Sequence, residues 1–235
     1  MPRQPYLQVV PRPSGVKYNI GTQCIGQRPE LEKLIWACLM SWPFIEAEMA
    51  VLLAQILGAE NEATLAVFQS LRRSSAQREA ISAAAAASLN EADQELVGAV
   101  LNVHKSTEAE RNALVHGHFG TASNLPDALI WQNTADYIAF RAEMKVSANW
   151  SWDNAKFQKL VSSIWVYRKD DLERTLTDIA ELSQIWNDLT EYVKLARLMS
   201  EPARGQAYSR LCGQSRVARE LENIRRKNNP STPSR

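Results

Sequence analysis

The chain has 235 residues, enough to bury a full hydrophobic core, and with 45% apolar and 23% charged residues it falls in the ordinary globular class rather than the disordered one. No apolar run reaches the roughly 18 residues that suggest a membrane span, and the N-terminus lacks the apolar stretch of a secretory signal. Its three cysteines lie far apart and outside any CxxC pair, which argues against a disulfide framework and against a cysteine-based zinc site. We therefore expect a cytoplasmic protein without a membrane segment.

The first long helix is predicted to start at Pro29. Four prolines among the first 13 residues predict that residues 1–28 are extended or disordered. From Pro29 onward an apolar stripe steps by three or four residues, as on one face of a helix, through Leu31, Ile35, Cys38, Trp42, Ile45, Met49, Leu52 and Ile56. Pro43 interrupts this stripe, so the pattern indicates either a kinked helix or two helices joined near Ser41. Gly58 is placed as a C-cap.

Three further helices are predicted before residue 120. Shorter ones cover residues 62–71 and 75–89, and the second includes five consecutive alanines. Asn90 is a good N-cap, and acidic residues follow it in the first turn. The helix that it starts runs toward Gly117, which is expected to end it together with Gly120.

The sequence pattern changes from helical spacing to short strand-like segments between residues 127 and 168. The segments ALIWQ, YIAFRAEMKV and SSIWVY are short and rich in aromatic or β-branched residues, which predicts a small antiparallel β insert at about 127–168. Helical spacing returns from Leu172 to Val193, giving a long C-terminal helix, and Pro202 and Gly205 break it. The fold class expected is thus a mainly α-helical bundle, with residues 29–200 as one domain that carries the β insert.

Residues 201–235 form a basic tail that is expected to be partly disordered. From Glu201 onward there are eight Lys or Arg residues against three acidic ones, whereas the preceding residues carry 19 basic and 23 acidic residues. Val217, Leu221 and Ile224 allow one short basic helix here. A basic tail on a mildly acidic body can serve as an electrostatic arm for a polyanion. Its alternative role is that of a solvated tail that keeps the protein soluble.

Two histidines and an arginine lie close together in ERNALVHGHFG, residues 110–120. Arg111 is followed by the polar Asn112 and, after three more residues, by His116. This string resembles the signature of the HEPN superfamily, in which an arginine, a polar residue and a short spacer precede a histidine. The resemblance covers mainly residues 29–120, and the helix at 170–199 is a further candidate for the shared core. It implies a helical bundle that is usually a homodimer.

Many HEPN proteins are metal-independent endoribonucleases of the toxin or defence type, so the resemblance implies this activity, with RNA as substrate, no cofactor and no metal. His116 would be the general acid/base, Arg111 the phosphate clamp and Asn112 the orienting group. A histidine can exchange a proton with the ribose 2′-hydroxyl near neutral pH, and an arginine can hold a phosphate bidentately and stabilise transition-state charge. In the tail, Arg216, Arg219, Arg225 and Arg226 become candidate RNA contacts.

Helical geometry complicates this assignment, because residues five apart point about 140° away from each other. Arg111 of one subunit could act with the partner subunit's His116 in a homodimer. The alternative partner of Arg111 is His118, which is seven residues on and only about 20° off its direction if the helix continues through Gly117.

A structural role is the alternative to a phosphate site. Arg111 could pair with Glu108, Glu46 or Glu48, and His116 could sit at the helix C-terminus because a cation is favoured there. The chain would then be a non-catalytic dimerisation or partner-binding module, and its protein partner could be antitoxin-like. A metal site built from His116, His118 and His104 or Glu108 has no recognised ligand spacing.

Overall fold

The computed structural model describes residues 3–11, 16–59, 61–146, 155–198 and 201–228. In these ranges the chain is mainly helical and carries a small antiparallel sheet of five strands, which confirms the predicted class at this level. The chain divides into two compact units. Unit 1 comprises Met1–Met40 and Glu108–Asp178, and unit 2 comprises Ser41–Thr107 and Ile179–Arg235.

The described part of the chain contains ten α-helices, of which the first has only 4 residues. The helices are α1 (Tyr6–Val9), α2 (Pro29–Leu57), α3 (Asn61–Ser70), α4 (Ser74–Ser88), α5 (Glu91–His116), α6 (Thr134–Val146), α7 (Ala155–Ser162), α8 (Lys169–Arg197), α9 (Glu201–Gly213) and α10 (Ser215–Asn228). The strands are β1 (Gln4–Pro5), β2 (Tyr18–Ile20), β3 (Gly117–Ala122), β4 (Leu125–Asn133) and β5 (Trp165–Tyr167). Helices α2, α5 and α8 have residues in both units.

Helix α2 continues through Pro43, so the alternative of two helices joined near Ser41 is wrong. Its apolar stripe is buried, as predicted. The helix ends at Leu57, and the next residue, Gly58, has a φ of 60°, a left-handed conformation that glycine adopts without strain. By length and apolar composition α2 is long and apolar enough to cross a membrane, but core helices of soluble proteins meet the same criteria. In this protein 44% of its most apolar 18-residue window is buried.

Helix α5 begins as the sequence indicates, with Asn90 as its N-cap. The Asp93 backbone N–H donates to Asn90 Oδ1 at 3.0 Å, which satisfies one of the free donors of the first turn. In unit 2 the buried faces of the helices present large apolar side chains, among them Trp42, Ile45, Met49, Leu96 and Trp186. These residues form the apolar interior of unit 2.

The sheet of unit 1 has the strand order β1-β5-β4-β3-β2, and every neighbouring pair is antiparallel. Side chains alternate between the two faces of each strand. Ala128, Ile130 and Val166 lie in one apolar cluster with Phe157 and Val161 of α7. Trp131 projects to the other face, where its ring lies edge-on to that of Tyr167 at 6.4 Å.

The predicted β insert at 127–168 is only partly right. Its first segment lies in β4 and its last contains β5, but YIAFRAEMKV is helical and lies in α6. A local cap starts this helix, since the Asp136 backbone N–H donates to Asn133 Oδ1 at 2.9 Å. The sheet also extends outside the predicted insert, because β3 starts at Gly117 and two further strands come from the N-terminal region.

The chain ends also contribute regular structure. Gln4 pairs with Val166 and Tyr18 pairs with Ala122, so the N-terminal region supplies both edge strands of the sheet. Tyr6 is fully buried there. Residues 201–228 form α9 and α10, and the second of these contains the short basic helix predicted from Val217, Leu221 and Ile224.

Candidate functional site at the end of helix α5

The signature residues lie in the last two turns of α5. Arg111 and Asn112 are half-buried, and Arg111 Nη1 donates a hydrogen bond to Asn112 Oδ1 at 3.0 Å. His116 is the final residue of the helix, and its side chain is exposed. The polar residue after the arginine therefore contacts the guanidinium directly, as an orienting group would.

Residues of β4 and α6 fix the end of this helix. Trp131 Nε1 donates to the Ala113 carbonyl at 2.9 Å, and the Thr134 hydroxyl donates to the His116 carbonyl at 2.7 Å. A Cβ on Gly117 would lie only 1.6 Å from Trp131 Nε1, so the indole fills the space that any side chain at this position would need. These contacts hold the backbone on which the signature is mounted.

His118 lies on β3 rather than on α5. The condition under which it would share a direction with Arg111, a helix continuing through Gly117, is not met, because the chain pairs with β4 from Gly117 onward. His118 is opposite Gln132, and its ring stacks on Tyr137 of α6 at 4.0 Å with an interplanar angle of 20°. Its side chain thus lies on the sheet face opposite Phe119 and Trp131, the face on which α6 packs.

Arg111 and His116 do not share a direction within one chain. The helix is α-helical through His116, so the two side chains leave its axis about 140° apart. The structure therefore brings together Arg111 and Asn112, but not Arg111 and His116 of the same molecule.

The four tail arginines lie on α10 and fall into two pairs. Arg216 and Arg225 reach α5: Arg216 Nη2 donates to the Thr107 hydroxyl, and Arg225 Nε lies 3.2 Å from Glu95 Oε2. Arg219 and Arg226 are exposed and face acidic residues of α10 itself, with Arg219 Nε 3.9 Å from Glu220 Oε1. Arg219 and Arg226 are consequently the more accessible pair.

A polar cluster around the buried Asp93 in unit 2 was not predicted from the sequence. The Asp93 carboxylate accepts hydrogen bonds from the Tyr192 hydroxyl, from Arg204 Nη2 at 2.8 Å and from Asn90 Nδ2 at 2.8 Å. Burial, and secondly the hydrogen bond to Asp93, raises the pKa of Tyr192 to about 12. Asp93 is recognisable in the sequence as an acidic residue after the Asn90 cap. Its partners Tyr192 and Arg204 lie about a hundred residues further along the chain, so the sequence does not show that they meet.

His104 is a core residue. It is 1% exposed, and its Nδ1 accepts a hydrogen bond from Trp186 Nε1 at 3.3 Å, while the Trp42 ring lies 5.2 Å away. Among the described residues there is no group of three or more His, Cys, Asp or Glu side chains that could hold a metal ion.

Comparison with known proteins gives no match: no protein-family model, no curated protein and no solved structure is significantly similar to this chain.

Proposed function

We propose that this protein is a HEPN-like, metal-independent endoribonuclease of the toxin or defence type, cytoplasmic and active as a homodimer. The observation that carries the proposal is the pairing of Arg111 with Asn112 one and a half turns before an exposed His116, on a helix end held by Trp131. Arginine, amide and imidazole are three groups suited to this reaction.

In the proposed reaction His116 removes the proton from a ribose 2′-hydroxyl, whose oxygen attacks the adjacent phosphorus. The P–O5′ bond breaks, the leaving oxygen takes up a proton from water to become a 5′-hydroxyl, and the His116 imidazolium returns its proton to the solvent. The other product is a 2′,3′-cyclic phosphate. The Arg111 guanidinium binds the phosphate oxygens, and Asn112 holds that guanidinium in its orientation.

The divergence of Arg111 and His116 supports a composite site. In a twofold dimer formed around the ends of the two α5 helices, Arg111 of one protomer acts with the partner's His116. Each dimer then has two equivalent sites, and neither protomer is active alone.

The first test is RNA cleavage in the presence of EDTA by the wild type, Arg111→Ala and His116→Ala. We expect cyclic-phosphate ends from the wild type, and a loss of about 10²–10⁴-fold in either variant. Arg174→Ala, on the exposed face of α8, is the matched control and keeps full activity. His118→Ala separates the two histidines, because a strand residue stacked on Tyr137 should be dispensable for proton transfer.

Mixing the two inactive variants tests the composite site. If Arg111 and His116 act across the dimer, exchange of subunits restores one intact site in each mixed dimer, or about a quarter of the wild-type activity for an equal mixture. A site contained within one protomer would restore none.

RNA contact through α10 is tested by the salt dependence of binding, with His116→Ala as a non-cleaving background. Arg219→Ala or Arg226→Ala should each reduce the slope of log K against log salt by about 1. Arg225→Ala should have a smaller effect, because Arg225 already faces Glu95.

A non-catalytic, partner-binding module is the competing function, and the half-buried position of Arg111 favours it. Equal inactivity of the wild type and both variants at high protein concentration would select this function. The Arg111–Asn112 pair would then serve only to stabilise the helix. A protein partner, antitoxin-like if the HEPN resemblance holds, would bind at the end of α5 that carries this pair.

A further inference from the structure

A cavity of about 350 Å³ in unit 2 has polar and charged walls and no role in the proposed reaction. It is formed by the last turn of α2, the junction between α4 and α5, the end of α8 and the start of α9. Its polar lining includes Gln55, Ser88, Asn90, Asp93, Arg197 and Arg204. A volume of this size falls in the range of small-molecule sites.

The charges of the wall do not cancel. Arg204 is neutralised by Asp93, whose carboxylate also accepts from Tyr192 and Asn90. Arg197 has no such counterpart: in the described part of the chain its guanidinium makes no hydrogen bond or ion pair. The cavity therefore carries one uncompensated positive charge, on a planar group suited to bidentate binding of an oxyanion.

Arg197 is exposed, and its guanidinium lies against the backbone of Gly58. Its Nη2 lies 1.7 Å from the point where a Cβ on Gly58 would be, so the guanidinium covers a glycine whose φ of 60° already disfavours a side chain. An arginine resting against a bare backbone loses less freedom on binding a ligand than one extended into solvent.

The remaining wall provides neutral and apolar groups. The Gln55 amide and the Ser88 hydroxyl can both hydrogen-bond a ligand. Leu89, Val193 and Ala196 supply an apolar surface. The volume equals that of roughly ten waters, far more than a bare inorganic anion occupies, so the walls fit an anion that carries an organic body.

We propose that this cavity binds a small organic oxyanion, a carboxylate or a phosphate monoester, with its charged head on Arg197 and its body against Leu89, Val193 and Ala196. This site is separate from the signature on α5 and does not depend on the nuclease proposal.

The test is isothermal titration calorimetry of the full chain at low salt with four probes: phenyl phosphate, benzoate, inorganic phosphate and benzyl alcohol. We expect saturable binding of phenyl phosphate or benzoate with a Kd of about 1 mM or tighter. The stronger of the two identifies the head group. Inorganic phosphate and benzyl alcohol each lack one half of the ligand and should bind at least about tenfold more weakly.

Two variants test the assignment to Arg197. Arg197→Gln removes the charge and should weaken binding by about tenfold or more, whereas Arg72→Gln, at an exposed arginine elsewhere in unit 2, should change it less than about twofold. Gln55→Glu leaves Arg197 in place but adds a carboxylate to the cavity. It should weaken binding to a similar degree, which keeps the test valid if Arg197→Gln fails to fold.

Three results would overturn the proposal. The first is the absence of saturable binding of both aromatic anions. The second is an equal effect of Arg197→Gln and Arg72→Gln, which would mean non-specific attraction to surface charge. The third is inorganic phosphate binding as tightly as phenyl phosphate, which would exclude an organic body.

Discussion

Gly117→Ala should destabilise the protein by crowding the contact that fixes the end of α5. The new Cβ would lie 1.6 Å from Trp131 Nε1 and 2.1 Å from its Cε2, so the indole, which is 4% exposed, has to move. Overpacking of this kind costs about 1–3 kcal/mol. A shifted indole also loses the hydrogen bond from Trp131 Nε1 to the Ala113 carbonyl. Leaving this buried N–H without an acceptor costs about 1–3 kcal/mol more. We expect a total loss of about 2–6 kcal/mol in the free energy of unfolding.

Urea unfolding followed by tryptophan fluorescence measures this loss. Gly205→Ala is the matched control, because a Cβ at this position in α9 meets nothing within 4 Å, and it should stabilise the protein by about 0.5–1 kcal/mol. Replacing Trp131 by leucine first should remove most of the Gly117→Ala penalty. A Gly117→Ala protein within about 0.5 kcal/mol of the wild type would refute the reasoning.

Three further predictions concern unit 2. Asp93→Asn removes the buried counter-charge of Arg204 and leaves only the exposed Glu201, 3.7 Å from Arg204 Nη1, so it should cost about 3–5 kcal/mol in equilibrium unfolding, with part of this loss recovered in Asp93→Asn/Arg204→Met. Because the folded state raises the pKa of Tyr192 from 10.0 to about 12, the associated stability is present below pH 10 and is lost as the pH rises through 12. The urea midpoint of the wild type should therefore fall more steeply over this interval than that of Tyr192→Phe, and parallel curves would contradict the prediction. Leu221→Ala removes a side chain of α10 that is 4% exposed and should lower the unfolding free energy by about 2–4 kcal/mol, whereas no change would mean that α10 contributes little to the core.

Local signals in the sequence predict the long helices well. The apolar stripe of α2, the Asn90 cap of α5 and the left-handed Gly58 each specify structure within a few residues, and each is present as expected. The wrong prediction at α6 also has a local cause. Asn133 caps the helix through the Asp136 backbone N–H, whereas the aromatic and β-branched residues that follow have a high strand propensity.

Non-local pairing explains most of the remaining differences. The edge strands β1 and β2 exist only because Gln4 meets Val166 and Tyr18 meets Ala122, and a short segment rich in proline carries no sign of such distant partners. The same holds at the candidate site. The adjacency of Arg111 and Asn112 is visible in the sequence, whereas the indole of Trp131 that holds their helix comes from a strand 18 residues beyond Ala113.

Helix α5 passes into strand β3 between His116 and Gly117 with no loop between them. One residue inserted at this junction would either turn the signature by about 100° around the helix axis or exchange the two faces of β3. No flexible segment is available there to absorb a change of length. We therefore expect insertions to be tolerated in the turn at residues 123–124, which joins β3 to β4, and to prevent folding at 116–117. The directions in which Arg111 and His116 point are thus set by the sheet as much as by the helix.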